Sequence, residues 1–160
     1  MGLFKRKANK LQIGAPVKGN AVSIREVSDP TFGEEILGKG VALQPSEGKI
    51  YAPADGEVSL LFDTLHAVTI TTEEGVEILV HVGLDTVTLK GQHFTAHTAT
   101  GAKVKKGDLL LTVDLEQVKA AGYDVITPMV ICNTDDFASV EAITQDAVNA
   151  GDTVLEITKK

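Results

Sequence analysis

The chain has 160 residues and a mass of 16.9 kDa, a size that suits one domain around a single sizeable core. Its net charge of −7, with no face of interleaved basic and aromatic residues, excludes a general nucleic-acid binder. Hydrophobic residues at 43% and charged residues at 23% fit an ordinary folded protein, and no run approaches the ~18 apolar residues that cross a bilayer.

The opening Met1-Gly2-Leu3-Phe4-Lys5-Arg6-Lys7 is basic, and no apolar stretch follows it as a secretion signal requires. Arg6 stands where myristoylation of Gly2 would need Ser or Thr. Residues 1–12 read as a flexible basic tail and 13–160 as the domain. From there, short apolar runs of period two are broken every ~8–12 residues by Gly, Pro, Asp or Asn. Ala21-Val22-Ser23-Ile24, Glu57-Val58-Ser59-Leu60, Val68-Thr69-Ile70 and Val154-Leu155-Glu156-Ile157 are examples. The spacing predicts an all-β protein, an antiparallel sandwich or barrel. One helix is expected from Leu115 to about Gly122, capped by Asp114 and ended by Gly122. A second, single-turn helix is expected after Asp135-Asp136, where Phe137 and Val140 are three apart. The one cysteine, Cys132, follows Val130-Ile131, which predicts a buried, inert thiol and fits a reducing, cytoplasmic setting.

Two motifs occur twice. Ala15-Pro16-Val17-Lys18-Gly19 resembles Ala52-Pro53-Ala54-Asp55-Gly56, and Val104-Lys105-Lys106-Gly107-Asp108 resembles Val148-Asn149-Ala150-Gly151-Asp152. Each Gly-Asp precedes a strand, where Gly tolerates positive φ and Asp closes a turn through its side chain. Duplicated β structure is implied, and no chemistry.

Chemistry gathers at His66 and His81. The stretch from His66 to Val82 reads as a hairpin around Glu73-Glu74-Gly75. A two- or four-residue loop sets His66 directly opposite His81, with Cβ atoms ~4.5–5.5 Å apart. The next pair on that face would be Val68 with Leu79. A three-residue loop slips the register by one and sends the two histidines to opposite faces. Neutral imidazole offers a lone pair near pH 7 and attacks phosphorus, while a second imidazole donates an N–H to phosphoryl oxygens. Thr64, two residues before His66, is placed to orient a ring nitrogen. Gly83, just after His81, allows another backbone to come close.

Other uses of these residues are weaker. His93 and His97 have the i, i+4 spacing of metal ligands, but Gly91-Gln92-His93-Phe94-Thr95-Ala96-His97 lacks the Glu of His-Glu-x-x-His and reads as a solvated loop. There is no Gly-x-Ser-x-Gly elbow, and Cys132 has no cationic sequence neighbour to lower its pKa. No metal site and no cofactor is therefore expected.

At these residues the sequence resembles the glucose-type enzyme IIA of the bacterial phosphoenolpyruvate-dependent sugar phosphotransferase system. The likeness runs from about Ile13 to Lys160. It is carried by Ile50-Tyr51-Ala52-Pro53-Ala54-Asp55-Gly56, by Gly75-Val76-Glu77-Ile78-Leu79-Val80-His81-Val82-Gly83-Leu84-Asp85-Thr86-Val87, and by Leu89-Lys90-Gly91. The resemblance implies that His81 is phosphorylated, that His66 is its partner imidazole and that Thr64 is the helper threonine. It further implies a β-sandwich with a shallow apolar depression for partner proteins, matched by Phe32, Phe62, Val68 and Leu79. Val68 and Leu79 stand where relatives often carry phenylalanine, so the patch is smaller. Asp29 and Asp85 match an acidic rim.

The implied donor is the small phosphocarrier HPr, and the implied acceptor is a cysteine on a glucose-type IIB domain. Regulatory targets are further implied partners, and a monomer is the expected state. The same fold serves lysostaphin-type metallopeptidases, but their His-x-His ligand pair is missing around His81. Lipoyl- or biotinyl-carrier modules also echo the Ala-Pro-Ala-Asp-Gly segment, yet the lysine they present at a hairpin tip is absent.

Overall fold

In the computed structural model, which describes residues 9–160, the period-two runs become strands. In chain order these are β1 (Lys10–Gly14), β2 (Gly19–Ser23), β3 (Lys39–Pro45), β4 (Lys49–Tyr51), β5 (Gly56–Leu61), β6 (Ala67–Thr71) and β7 (Glu77–His81). There follow β8 (Phe94–Ala96), β9 (Lys103–Val104), β10 (Leu109–Val113), β11 (Thr127–Ile131), β12 (Phe137–Ala142), β13 (Gln145–Val148) and β14 (Thr153–Lys159). Two short helices, α1 (Pro30–Gly33) and α2 (Leu115–Ala120), lie among them. The described pairings are all antiparallel. One sheet runs β13-β2-β3-β11-β7-β6-β5-β9, and two smaller ones run β1-β14-β12 and β4-β10-β8. The all-β expectation holds.

Local chemistry explains the exceptions. Helix α2 starts where the Asp114 side chain accepts from the Gln117 N–H, and the chain leaves it through Gly122 at φ 95. The turn expected after Asp135-Asp136 lies earlier, as a 3-10 turn over Thr134–Asp136, and Phe137 opens β12 instead. Pairing to β14 outweighs the weak three-residue spacing of Phe137 and Val140. At the other end the sheet starts sooner than expected: Lys10 to Gln12 belong to β1, paired with Thr158 to Glu156. The Lys5-Arg6-Lys7 run lies outside the described residues.

Strand alternation divides the interior in two. Val41, Leu43, Val68, Ile70, Ile78, Val80, Met129 and Ile131 point from the large sheet into the main core, facing Ile50, Leu110 and Leu111 from one small sheet and Ile13, Leu155 and Ile157 from the other. The alternate residues Ala42, Ala67, Leu79 and Val130 face outward. They are covered by Ile24, Val27, Phe32, Leu84 and Ile126. That second, smaller cluster is the floor of the site described below.

The duplicated motifs meet each other across a local two-fold. Gly14 N–H donates to Pro53 O at 2.9 Å, and Tyr51 N–H donates to Pro16 O at 2.7 Å. These are equivalent bonds, displaced by the same offset in the two repeats. Likewise Ala15 N–H donates to Asp152 O and Gly151 N–H to Ala15 O, as Ala52 N–H donates to Asp108 O and Gly107 N–H to Ala52 O. In both Gly-Asp turns the aspartate Oδ2 accepts a backbone N–H at 2.8 Å, from Lys105 and from Asn149. The repeats are thus scaffold. Asp108→Ala and Asp152→Ala are each expected to lower the unfolding free energy by about 1 kcal/mol. Denaturant titration checks this, and a large loss at only one of the two would show the turns to be inequivalent.

Candidate functional site

His81 ends β7. Because Ile78 and Val80 are buried in the main core, Leu79 and His81 emerge on the outer face of the large sheet, beside Ala67. His66 reaches the same place by another route. The loop between β6 and β7 is Glu73-Glu74-Gly75, a three-residue turn in which Gly75 N–H donates to Thr72 O and Gly75 takes φ 85. It pairs Ala67 with His81 and Val68 with Val80, one residue away from the register that would set His66 opposite His81.

His66 nevertheless meets His81. It belongs to the Asp63–His66 loop between β5 and β6, closed by Phe62 N–H to Ala67 O and Leu65 N–H to Phe62 O. Leu65 takes φ 60, so the chain turns over before β6 begins. The pleat alternation that rules β6 does not extend to His66. Its carbonyl still continues the ladder, accepting from Val82 N–H at 2.7 Å.

The two imidazole rings lie edge to face, with centroids 4.8 Å apart. Thr64 Oγ1 is 2.8 Å from His66 Nδ1. His81 Nδ1 is 2.7 Å from Gly83 O, and since a carbonyl only accepts, His81 Nδ1 must carry the proton. In the neutral ring the lone pair is therefore on Nε2. Burial lowers the pKa of His81 against the raising effects of the Gly83 carbonyl, Asp29 and Asp85. Burial, and then the nearness of His81, push that of His66 from 6.5 down to about 4. Both rings are neutral at pH 7.

Apolar groups collar the pair. Phe32 packs on His81 with ring centroids 4.9 Å apart, and Phe62 stands edge-on to His66 at 5.5 Å. Asp29 positions Phe32 by capping α1, its carboxylate accepting from Thr31 N–H at 3.0 Å. Asp85 is exposed in left-handed backbone at φ 60, without a capping bond. Leu79 joins the collar. Val68 does not: it is wholly buried in the main core, because the slipped register gives its place on the outer face to Ala67.

Sequence reasoning passed over Ile36, Leu37 and Val87, which are exposed apolar residues on the segments that carry Phe32 and Asp85. Their sequence neighbours are polar, Glu34-Glu35 before Ile36 and Asp85, Thr86 and Thr88 around Val87, so nothing in the sequence set them apart. Among the described residues no three His, Cys, Asp or Glu side chains come together in a metal-binding group. His97 Nε2 instead lies 3.1 Å from Thr112 Oγ1 on the exposed surface. Cys132 is exposed rather than buried, since it follows the inward Ile131 at the end of β11. Its thiol pKa is raised by partial desolvation and by Glu77.

Fold and site together define an antiparallel β-sandwich that carries two adjacent neutral imidazoles on an outer sheet face. Residues 11–137 match the family model of the phosphoenolpyruvate-dependent sugar phosphotransferase system, EIIA 1, and the chain belongs to that family. A glucose-specific EIIA component of Bacillus cereus is 43% identical over 96% of this chain and 94% of its own length. A beta-glucoside-specific EIIBCA component of Halalkalibacterium halodurans is 45% identical over 94% of this chain, which spans only 24% of that longer protein. Among solved structures, glucose permease IIA from Mycoplasma capricolum superposes with a TM-score of 0.86 at 35% identity, covering 92% of this chain and 95% of the other. Among the described residues no helix is long and apolar enough to cross a membrane.

The low pKa of His66 makes stability depend on pH. The unfolded chain binds a proton at His66 near pH 6.5, and the folded chain only near pH 4. Stability from this group is therefore full above pH 6.5 and lost progressively as pH falls toward 4. Between pH 7.5 and 4.5, His66→Gln should lose less stability than the parent by about 2–3 kcal/mol. Denaturant unfolding at both pH values measures it; equal losses would mean that His66 titrates as an ordinary imidazole.

Proposed function

We propose that the protein is a phosphoryl carrier of a sugar phosphotransferase system, loaded on His81 Nε2. The observation that carries this reading is the 2.7 Å contact of His81 Nδ1 with Gly83 O, which fixes the proton on Nδ1 and leaves a nucleophilic lone pair on Nε2. That lone pair attacks the phosphorus of a phosphohistidine on HPr. A new Nε2–P bond forms as the donor's N–P bond breaks, and the donor imidazole departs with the electron pair. In the second step a cysteine thiolate of a glucose-type IIB domain attacks the same phosphorus, and His81 leaves as a neutral imidazole.

His66 serves as the electrostatic partner. With the Thr64 hydroxyl donating to Nδ1, its Nε2–H is left to donate to the phosphoryl oxygens as charge develops. Membership in the EIIA family and the likeness to the glucose-specific relatives support both partners. The docking face comprises Phe32, Phe62 and Leu79, extended by Ile36, Leu37 and Val87, with Asp29 and Asp85 meeting basic residues of the donor. One small face that serves two partners in turn calls for transient binding. A monomer working in the cytoplasm, where such partners reside, suits that role. Regulatory partners would use the same face.

Intact mass after mixing with phosphoenolpyruvate, enzyme I and HPr tests the reading. One acid-labile phosphoryl group should be gained, and His81→Ala should gain none. His66→Ala should still accept the group but pass it on more slowly, by on the order of a hundredfold. No gain with an active donor would reject the carrier role, and unchanged transfer in His66→Ala would reject the role of His66.

A further inference from the structure

The Gly83 carbonyl that selects the His81 tautomer is itself held by contacts outside the histidine pair. A peptide group is planar and trans, so its C=O and N–H point in opposite directions. In the Gly83–Leu84 peptide the N–H of Leu84 donates to Asp124 O at 3.0 Å, and the C=O of Gly83 is thereby aimed at His81 Nδ1. Asp124 is anchored in turn, its Oδ1 accepting from Ile126 N–H at 2.9 Å.

The preceding peptide, Val82–Gly83, is held by a side chain. Thr86 is wholly buried, and its hydroxyl donates to Val82 O at 2.6 Å. Val82 N–H meanwhile donates to His66 O, so one residue ties Thr86 to the backbone of the second histidine. Between the two held peptides stands Gly83 at φ 78, where a Cβ would lie 2.7 Å from Thr86 Cγ2 and 2.9 Å from Asp124 O. Glycine is required there because the threonine methyl and the Asp124 carbonyl fill the space a side chain would need. Thr86 thus acts twice on Gly83: its hydroxyl fixes the peptide before it, and its methyl closes the space beside it.

We infer that Thr86 is a positioning residue for His81: it holds the Gly83 carbonyl on Nδ1–H and so keeps the Nε2 lone pair available. The inference deepens the carrier reading above and rests on it for its kinetic consequence. The tautomer itself is independent of any donor.

The test compares Thr86→Val, which keeps the shape and removes the hydroxyl, with Thr86→Ser, which keeps the hydroxyl and removes the methyl. Side-chain nitrogen NMR of the unphosphorylated full chain reads the His81 tautomer. Acceptance from phospho-HPr is timed separately. The valine variant should shift His81 away from the Nδ1–H form and slow acceptance by about tenfold, the change expected from one lost hydrogen bond. The serine variant should keep the Nδ1–H form and accept within about twofold of the parent, the difference a small packing change makes. A valine variant with the parent's tautomer and rate overturns the proposal. So does a serine variant that loses the Nδ1–H form, which keeps the question decidable if the valine variant fails to fold. A parent chain that shows the tautomer but takes no phosphoryl group would sink the carrier reading and leave the Thr86 contact standing.

Discussion

Ile78 and Val80 are buried in the main core, and successive side chains on a strand point to opposite faces, so Leu79 and His81 come out together on the far side of the sheet. Much of the site follows from that constraint. The outer face needs its own cover where it is apolar, and the segment from Ile24 to Phe32 supplies it, with Leu84 and Ile126 closing the other side. The cover stops at His81, whose ring is half-buried. On the proposed reading, a reactive ring at the border between covered and open sheet is anchored by a strand yet reachable by a partner. Rigid strands hold such a group more firmly than a loop would.

The second histidine is held differently, and the difference matches its chemistry. His66 is almost fully buried, at 4% exposure, in a loop closed by two backbone bonds. Burial disfavours the charged form, and a second imidazole beside it disfavours charge further. On the proposed reading, the result is a neutral N–H donor, preorganised for charge that appears only when a group arrives. A permanently cationic side chain there would bind anions at rest. A neutral one strengthens its hydrogen bond as negative charge grows on the acceptor, which favours the transition state over the ground state.

Much of this was legible in the sequence, and what was not has physical causes. Period-two runs marked the strands because the main core takes every second residue, as in Val68, Ile70, Ile78 and Val80. The duplicated Ala-Pro and Gly-Asp motifs pointed to repeated turns, which pair as near copies. Register failed by one residue, because three loop residues with Gly75 in left-handed conformation look in sequence like two or four. That slip buried Val68 in the main core and put the small Ala67, itself buried beneath the cover, on the outer face in its place. The histidines met anyway, through a turn at Leu65 that has no glycine to announce it. Cys132 misled for a related reason, since apolar neighbours signal burial only while the strand continues, and β11 ends at Ile131.

The two acids beside His81 are the least expected part of a site that, on the proposed reading, takes up an anion. Both raise the ring's pKa, yet burial outweighs them and the ring stays neutral. Their commitments differ. Asp29 is bound to Thr31 N–H and carries Phe32 onto the ring, so its position is structural as well as electrostatic. Asp85 makes no capping bond and is open to solvent, so its charge is available to whatever docks. On that reading neither stabilises a phosphoryl group on His81: both repel its oxygens, half-buried Asp29 with less screening and exposed Asp85 through solvent. A basic partner cancels that repulsion while docked and restores it on leaving. A pocket lined with cations would hold a phosphoryl group as a sink, whereas on the proposed reading acids and neutral imidazoles leave it at an energy from which the acceptor's thiolate can remove it.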